Sequence, residues 1–172
     1  MTSTTFDPSS AAVKKIWRQV THPVAMPMFM LAKLPLALIA GLRVKTIDQD
    51  ICEVTLPYGW RTTNPFKSTY FAALAMAAEM STGALAMAVV RASPHPISML
   101  VVGMEGKFVK KATEVTTFRC EAGKDMTAAV LETLETGEGV VCKTETIGTS
   151  PDGAEIARFT FTWSFKKKRS SK

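Results

Sequence analysis

The sequence predicts an α+β domain in which a curved antiparallel sheet of about six strands wraps a long buried helix. Three observations carry this expectation. Ser68 to Val90 is apolar around its whole circumference, with Glu79 the only carboxylate between Lys67 and Arg91, and a helix apolar on every side has to be buried. From Glu155 to Phe165, Ala157, Phe159, Phe161, Trp163 and Phe165 alternate with Arg158, Thr160, Thr162 and Ser164, the period of a strand with one wet face. Two strand-like runs precede the long helix and four follow it, the order of an α+β domain. A sheet with one polar face, packed on a single apolar helix, has to curl around that helix to cover its sides.

The elements follow in order. Ala11 to Gln19 and Met28 to Ala40 read as lead-in helices, the second interrupted by Lys33 and Pro35, with Pro27 just before it. Those interruptions argue against a membrane span there. Leu42 to Ile47 and Ile51 to Leu56 flank the turn residues Asp48, Gln49 and Asp50 and read as a hairpin. Tyr58 to Pro65 is loop, and Ser68 is the expected N-cap of the long helix. After the break at Pro94, His95 and Pro96, strands are expected over Ile97–Val109, Thr113–Glu121, Val140–Thr149 and Glu155–Phe165, with a short inserted helix over Met126–Leu134. Ser150, Pro151, Asp152 and Gly153 supply turn chemistry between the last two strands.

A chain of 172 residues, 47% hydrophobic, buries one core and is too short for two comfortable ones. A single domain over 1–172 is therefore expected, with mobile ends at 1–10 and 166–172. The net charge of +6 draws on Lys166, Lys167, Lys168, Arg169 and Lys172, so the body is nearly balanced. No zinc-finger spacing or RNA-binding motif accompanies the charge, and no nucleic-acid partner is expected. Cys52, Cys120 and Cys142 are too few and too scattered for a disulfide framework or a metal site, and read as buried strand thiols in a reducing compartment. With no secretory pattern at the start, a cytoplasmic location is expected. The apolar run Val24 to Leu42 is too large to stay exposed on a monomer and is expected to pack on the core or on a partner.

Glu79 is the candidate for chemistry. Ionising a lone carboxylate inside an apolar helix costs several kcal/mol unless a partner or water relieves it. Its helical neighbours are Ala75, Met76, Thr82 and Gly83, with Ala72 and Ala86 beyond them. Such small residues beside one acid leave room for a narrow acyl channel. Two plainer readings stand beside this one: a structural acid hydrogen-bonded to backbone or to a partner, and a membrane helix, which the central acid and the alanine content disfavour.

Asn64-Pro65-Phe66-Lys67-Ser68-Thr69-Tyr70-Phe71-Ala72, then Glu79 and Gly83, resembles the phenylacetyl-CoA thioesterase type of hotdog protein. That family has an Asn in the loop, a His-Gly-Gly at the helix start, an acid nine residues after the His and a Gly four residues later. Gly106 to Lys111 resembles the strand that follows the helix in that family, where basic residues lie near the CoA phosphates. Leu34 to Leu38 with Tyr58 to Lys67 most resembles an uncharacterised branch of the hotdog proteins. This chain departs from the family at Tyr70, Phe71 and Ala72, which replace the His-Gly-Gly trio.

The lack of a Gly-rich phosphate loop and of metal-ligand spacing in the sequence leads us to expect no metal and no tightly bound redox cofactor. The resemblance implies an acyl-CoA or other acyl thioester as substrate. It implies Glu79 as base or nucleophile, the N–H groups of Phe71 and Ala72 as oxyanion donors, and Asn64, Thr82 and Tyr70 as orienting groups. Ala75, Met76 and Gly83 would line the acyl channel, and Lys110 and Lys111 would meet the phosphates. Hotdog domains pair edge strands, so a homodimer is expected, with a tetramer left open. A non-catalytic acyl-binding module is the second reading, because the rings of Tyr70 and Phe71 would narrow a catalytic cleft.

Overall fold

Apolar side chains at every second position of the last strand need a single long surface to cover them, and the long helix provides it. The computed structural model describes residues 6–168. The elements run α1 (Ala11–Val20), α2 (Ala25–Lys33), α3 (Pro35–Ala40), β1 (Arg43–Ile47), β2 (Cys52–Leu56), α4 (Phe71–Ala92), β3 (Ile97–Phe108), β4 (Thr116–Cys120), α5 (Gly123–Thr136), β5 (Val140–Thr149) and β6 (Glu155–Lys167). One antiparallel sheet has the order β1-β2-β4-β5-β6-β3. Its concave face holds α4, which touches five of the six strands. The fold is hotdog: five helices, one of them long and central, and a six-stranded sheet around it.

The core is the contact between α4 and the sheet. Ala77, Ala78, Leu85, Ala86 and Val89 of α4 meet Val54, Leu56, Phe118, Phe159, Phe161 and Phe165. The many alanines on α4 let the strands approach closely, and large aromatic rings on the sheet refill the space. Where a ring crosses a neighbouring strand, that strand carries glycine. Gly106 lies opposite Phe159 and Gly148 opposite Phe118, and a Cβ at either glycine would meet the facing ring at 2.7 and 2.6 Å. The outer face is polar and held by cross-strand ion pairs, Arg119 to Glu53 at 2.8 Å and Arg158 to Glu145 at 2.7 Å. By length and composition α4 could cross a membrane, but most of it is buried inside the sheet.

Four expectations are corrected. The lead-in helix is two helices, because a residue before proline avoids the helical region; Leu34, ahead of Pro35, leaves it at φ −139°, ψ 55°. Its start also lies earlier, at Ala25, where the Nδ1 of His22 accepts the Val24 and Ala25 N–H groups. The N-cap of α4 is Tyr70, not Ser68. Ser68 is held in the loop instead, its N–H and hydroxyl both donating to Asn64 Oδ1, and the next two N–H groups bond the carbonyls of Ala112 and Thr62. Lys166 and Lys167, expected in a mobile end, pair with Ser98 and Ile97 as the close of β6, and the Lys168 N–H bonds the Pro96 carbonyl. At the other end, residues 6–10 precede α1 with the Ser10 N–H bonded to the Asp7 carbonyl; Arg169 to Lys172 and residues 1–5 lie outside the described residues.

Candidate active site

Glu79 sits in the middle of α4, half-buried, on the wall of a cavity of about 540 Å³. From α4, Met80, Gly83, Ala84, Met87 and Arg91 continue that wall; Trp163 of β6 and Met99 of β3 close one side, and α1 and α2 form the other. Among the described residues Lys33 and Arg91 are the cations that line it, and Arg91 lies over the Phe29 ring at 5.2 Å. Glu79 and Arg91 are twelve residues apart on one helix, roughly 18 Å along its axis, too far for the guanidinium to neutralise the carboxylate. Burial pushes the Glu79 carboxyl above the ordinary carboxylate value. Among the described residues no side chain hydrogen-bonds to it and no group of metal-ligating side chains forms.

Gly83 fixes the geometry beside the acid. A Cβ there would stand 3.1 Å from two carbons of the Trp163 ring and 3.3 Å from Glu79 Oε1, so only hydrogen at this position lets the indole lie against the helix next to the carboxylate. Thr82 holds the indole in place. Its Oγ1 accepts the Trp163 Nε1–H at 3.0 Å and donates to the Glu79 backbone carbonyl at 2.9 Å. Thr82 therefore orients Trp163, and through it the cavity wall, rather than the carboxylate itself.

The other expected residues stand elsewhere. Asn64 organises its own loop: Oδ1 accepts from Phe66 N, Ser68 N and Ser68 Oγ. Tyr70 and Phe71 are exposed at the helix start, their rings edge-to-face at 5.0 Å, and Phe71 continues edge-on to Phe108 at 6.4 Å. The first helical bonds are those from Ala73 and Leu74 to the Tyr70 carbonyl, which leaves the Phe71 and Ala72 N–H groups without an intrahelical acceptor. From Ala72 to Glu79 the helix rises roughly 10 Å. Ala75 and Met76 are half-buried on the intervening turn and do not border the cavity. Lys110 and Lys111 are exposed after β3, with Lys110 Nζ 3.9 Å from Asp152.

Trp163, Arg91, Lys33 and the α1–α2 wall were missed by sequence reasoning. The alternation of β6 already placed Trp163 on the buried face, and a threonine on an apolar helix calls for a donor or acceptor across the core; together these were a usable signal. Nothing local in the sequence links α1 to α4.

A family model described as "Domain of unknown function (DUF4442)" matches residues 24–165. The chain belongs to that family. No curated protein matches the sequence. Several solved structures share the DUF4442 chain's fold. A Chlorobaculum tepidum protein of unknown function is 15% identical, with 91% of this chain and 94% of that one covered and a TM-score of 0.71. A Pseudomonas aeruginosa protein described as a probable thioesterase is 17% identical, covering 87% and 99%, with a TM-score of 0.69. A Haemophilus influenzae thioesterase is 10% identical, covering 91% and 99%, with a TM-score of 0.62.

Proposed function

We propose that this protein is an acyl-thioester hydrolase of the hotdog type, acting on acyl-CoA or a similar carrier, with Glu79 as its catalytic carboxylate. The observation that carries the reading is one unpaired, burial-raised carboxyl on the wall of an apolar cavity of about 540 Å³. Space of that size suits a small ligand or an acyl chain, and a carboxylate with a raised pKa is a better base near neutral pH. Glu79 takes a proton from water as the water adds to the thioester carbonyl. The C–S bond then breaks, and the proton returns to the departing thiolate. The Phe71 and Ala72 N–H groups are the oxyanion donors of the reading. Their distance from Glu79 along the helix keeps one chain from using both on one carbonyl, which supports a site shared between two copies.

The edge strand β3 supports that pairing. Among the described residues it pairs with β6 alone, and it exposes Leu100, Val102, Met104 and Phe108. A free strand edge with apolar side chains is suited to a second copy of itself. A homodimer, open to further pairing, and a reducing, cytoplasmic setting complete the reading; Lys110 and Lys111, at the end of β3, are the phosphate contacts it offers.

The test is thiol release from short, medium, long and aromatic acyl-CoAs, run beside Glu79→Gln. Turnover lost in the variant supports the hydrolase; undiminished turnover removes Glu79 from the mechanism. A second reading, an acyl-binding protein without turnover, is favoured by the exposed Tyr70 and Phe71 rings over the helix start. On that reading the wild type binds acyl ligands without hydrolysis, and Phe71→Gly, which opens the approach to the helix N–H groups at up to about 1 kcal/mol in stability, brings turnover that the wild type lacks.

A further inference from the structure

The joint between α2 and α3 is the most apolar exposed surface on the helical side of the molecule. Leu31, Ala32, Lys33, Leu34, Pro35 and Leu36 are six consecutive exposed residues. Leu31 is 68% and Leu36 70% exposed, and Met28 66%. Val24, Met28 and Leu31, spaced four and three apart, form one stripe along α2, and Ile39 extends the apolar surface onto α3. Unlike β3, this surface has its backbone groups bonded within helices and offers no edge to another strand.

Its charge is one-sided. From Pro8 to Ile47 there is no Asp or Glu, while Lys14, Lys15, Arg18, Lys33, Arg43 and Lys45 are all present, and every one of these six is exposed. Lys45 is paired with Glu53 at 3.5 Å, but Lys33 has no ion-pair partner among the described residues, and a two-fold contact of the joint with itself would bring Lys33 towards its own copy with no acid from this stretch of chain to relieve it. Leucine-bearing helix ends that carry Lys33, in a stretch of chain whose charges are all positive, match a different partner: the boundary between anionic headgroups and acyl chains in a lipid bilayer.

We propose that the α2–α3 joint docks on the surface of a bilayer containing anionic lipid, seating Leu31, Leu34 and Leu36 below the headgroups with Lys33 at headgroup level. This is attachment to a surface, not a span. Lys33 and Leu34 belong both to the exposed joint and to the cavity wall, so a docked molecule brings the rim of the cavity to the lipid. Acyl substrate would then enter from the membrane side; that route rests on the hydrolase reading, whereas docking does not.

The experiment is co-sedimentation of the full chain with vesicles of phosphatidylcholine alone and with an equimolar mixture of phosphatidylcholine and phosphatidylglycerol. The wild type is expected to sediment with the mixed vesicles, less so as salt rises, and to stay in solution with phosphatidylcholine alone. Lys33→Gln is expected to weaken binding about fivefold, and the double variant Leu31→Asp/Leu36→Asp to abolish it. Val141→Asp, an exposed apolar site on β5, should bind as wild type and controls for a general effect of added charge. Melting curves establish that each variant folds. No sedimentation with mixed vesicles at low salt, or equal sedimentation of the double variant, overturns the proposal. So does light scattering in which the double variant alone drops to a smaller oligomer, since a second copy then covers this surface. Thiol release is scored separately: docking with no turnover overturns the hydrolase and leaves the docking intact.

Discussion

The two halves of α4 differ more than a uniformly apolar helix suggests. The first, Phe71 to Met76, opens on the exposed Phe71 ring, where the chain departs from the family's His-Gly-Gly trio, and does not line the cavity beside Glu79. The second, Glu79 to Arg91, carries the acid, a glycine pressed by Trp163, and the wall of the cavity of about 540 Å³. The register that α4 keeps, at Glu79 and Gly83, and the cavity therefore fall in the same half of the helix.

Glu79→Gln is the strongest way to break this contrast. If the second half is the chemical one, thioester hydrolysis falls by roughly 10²–10⁴-fold with the fold retained. Filling each half in turn is the next largest effect. Ala84→Phe places a ring in the cavity and is expected to weaken long-chain acyl binding by about tenfold or more, equivalent to losing roughly two buried methylenes of contact. Ala75→Phe, on the first half, should leave binding nearly unchanged; fluorescence titration with acyl-CoAs separates the two, and a larger loss in Ala75→Phe would move the acyl path to the helix start.

Thr82→Val sharpens the contrast at smaller scale. It strands the buried Trp163 N–H and should cost about 1–3 kcal/mol in urea unfolding, while loosening the wall beside Glu79. A pH series isolates the carboxyl itself. Because burial raises Glu79 above its ordinary 4.5, the folded chain holds this proton more tightly than the unfolded chain. Its contribution is fully present below that ordinary value and is lost as pH rises through the raised one. Glu53 and Glu155 are held low by arginines and act at lower pH. Stability of the wild type relative to Glu79→Gln should thus decline across the window above 4.5; a flat difference would mean the acid is not desolvated.

What the sequence made legible is the part set by short-range periodicity. β5 falls on the expected Val140–Thr149, β6 begins where its alternation begins, and a lone acid in an alanine-rich helix could be singled out without knowing what surrounds it. Long-range contacts decide the remainder. Ser68 has the chemistry of an N-cap, but Asn64 and the remote Ala112 carbonyl hold its segment extended. Ala75 and Met76 lie one turn from Glu79 on a wheel, yet the cavity opens on the opposite turn because α1 and α2 pack there. No pattern within α4 reports which side the lead-in helices will cover.

The three cysteines have a practical consequence for all of these measurements. Cys52 and Cys120 face each other across β2 and β4, and Cys142 lies on β5; all are buried and free. Burial raises each thiol, Cys120 to about 11, and a protonated, covered sulfur reacts poorly. The native chain should therefore be silent towards a colorimetric thiol reagent, so colour in a hydrolysis assay comes from released CoA alone. Once the sheet opens the same sulfurs react, and the reagent becomes a stopwatch for unfolding, with three internal reporters that need no label.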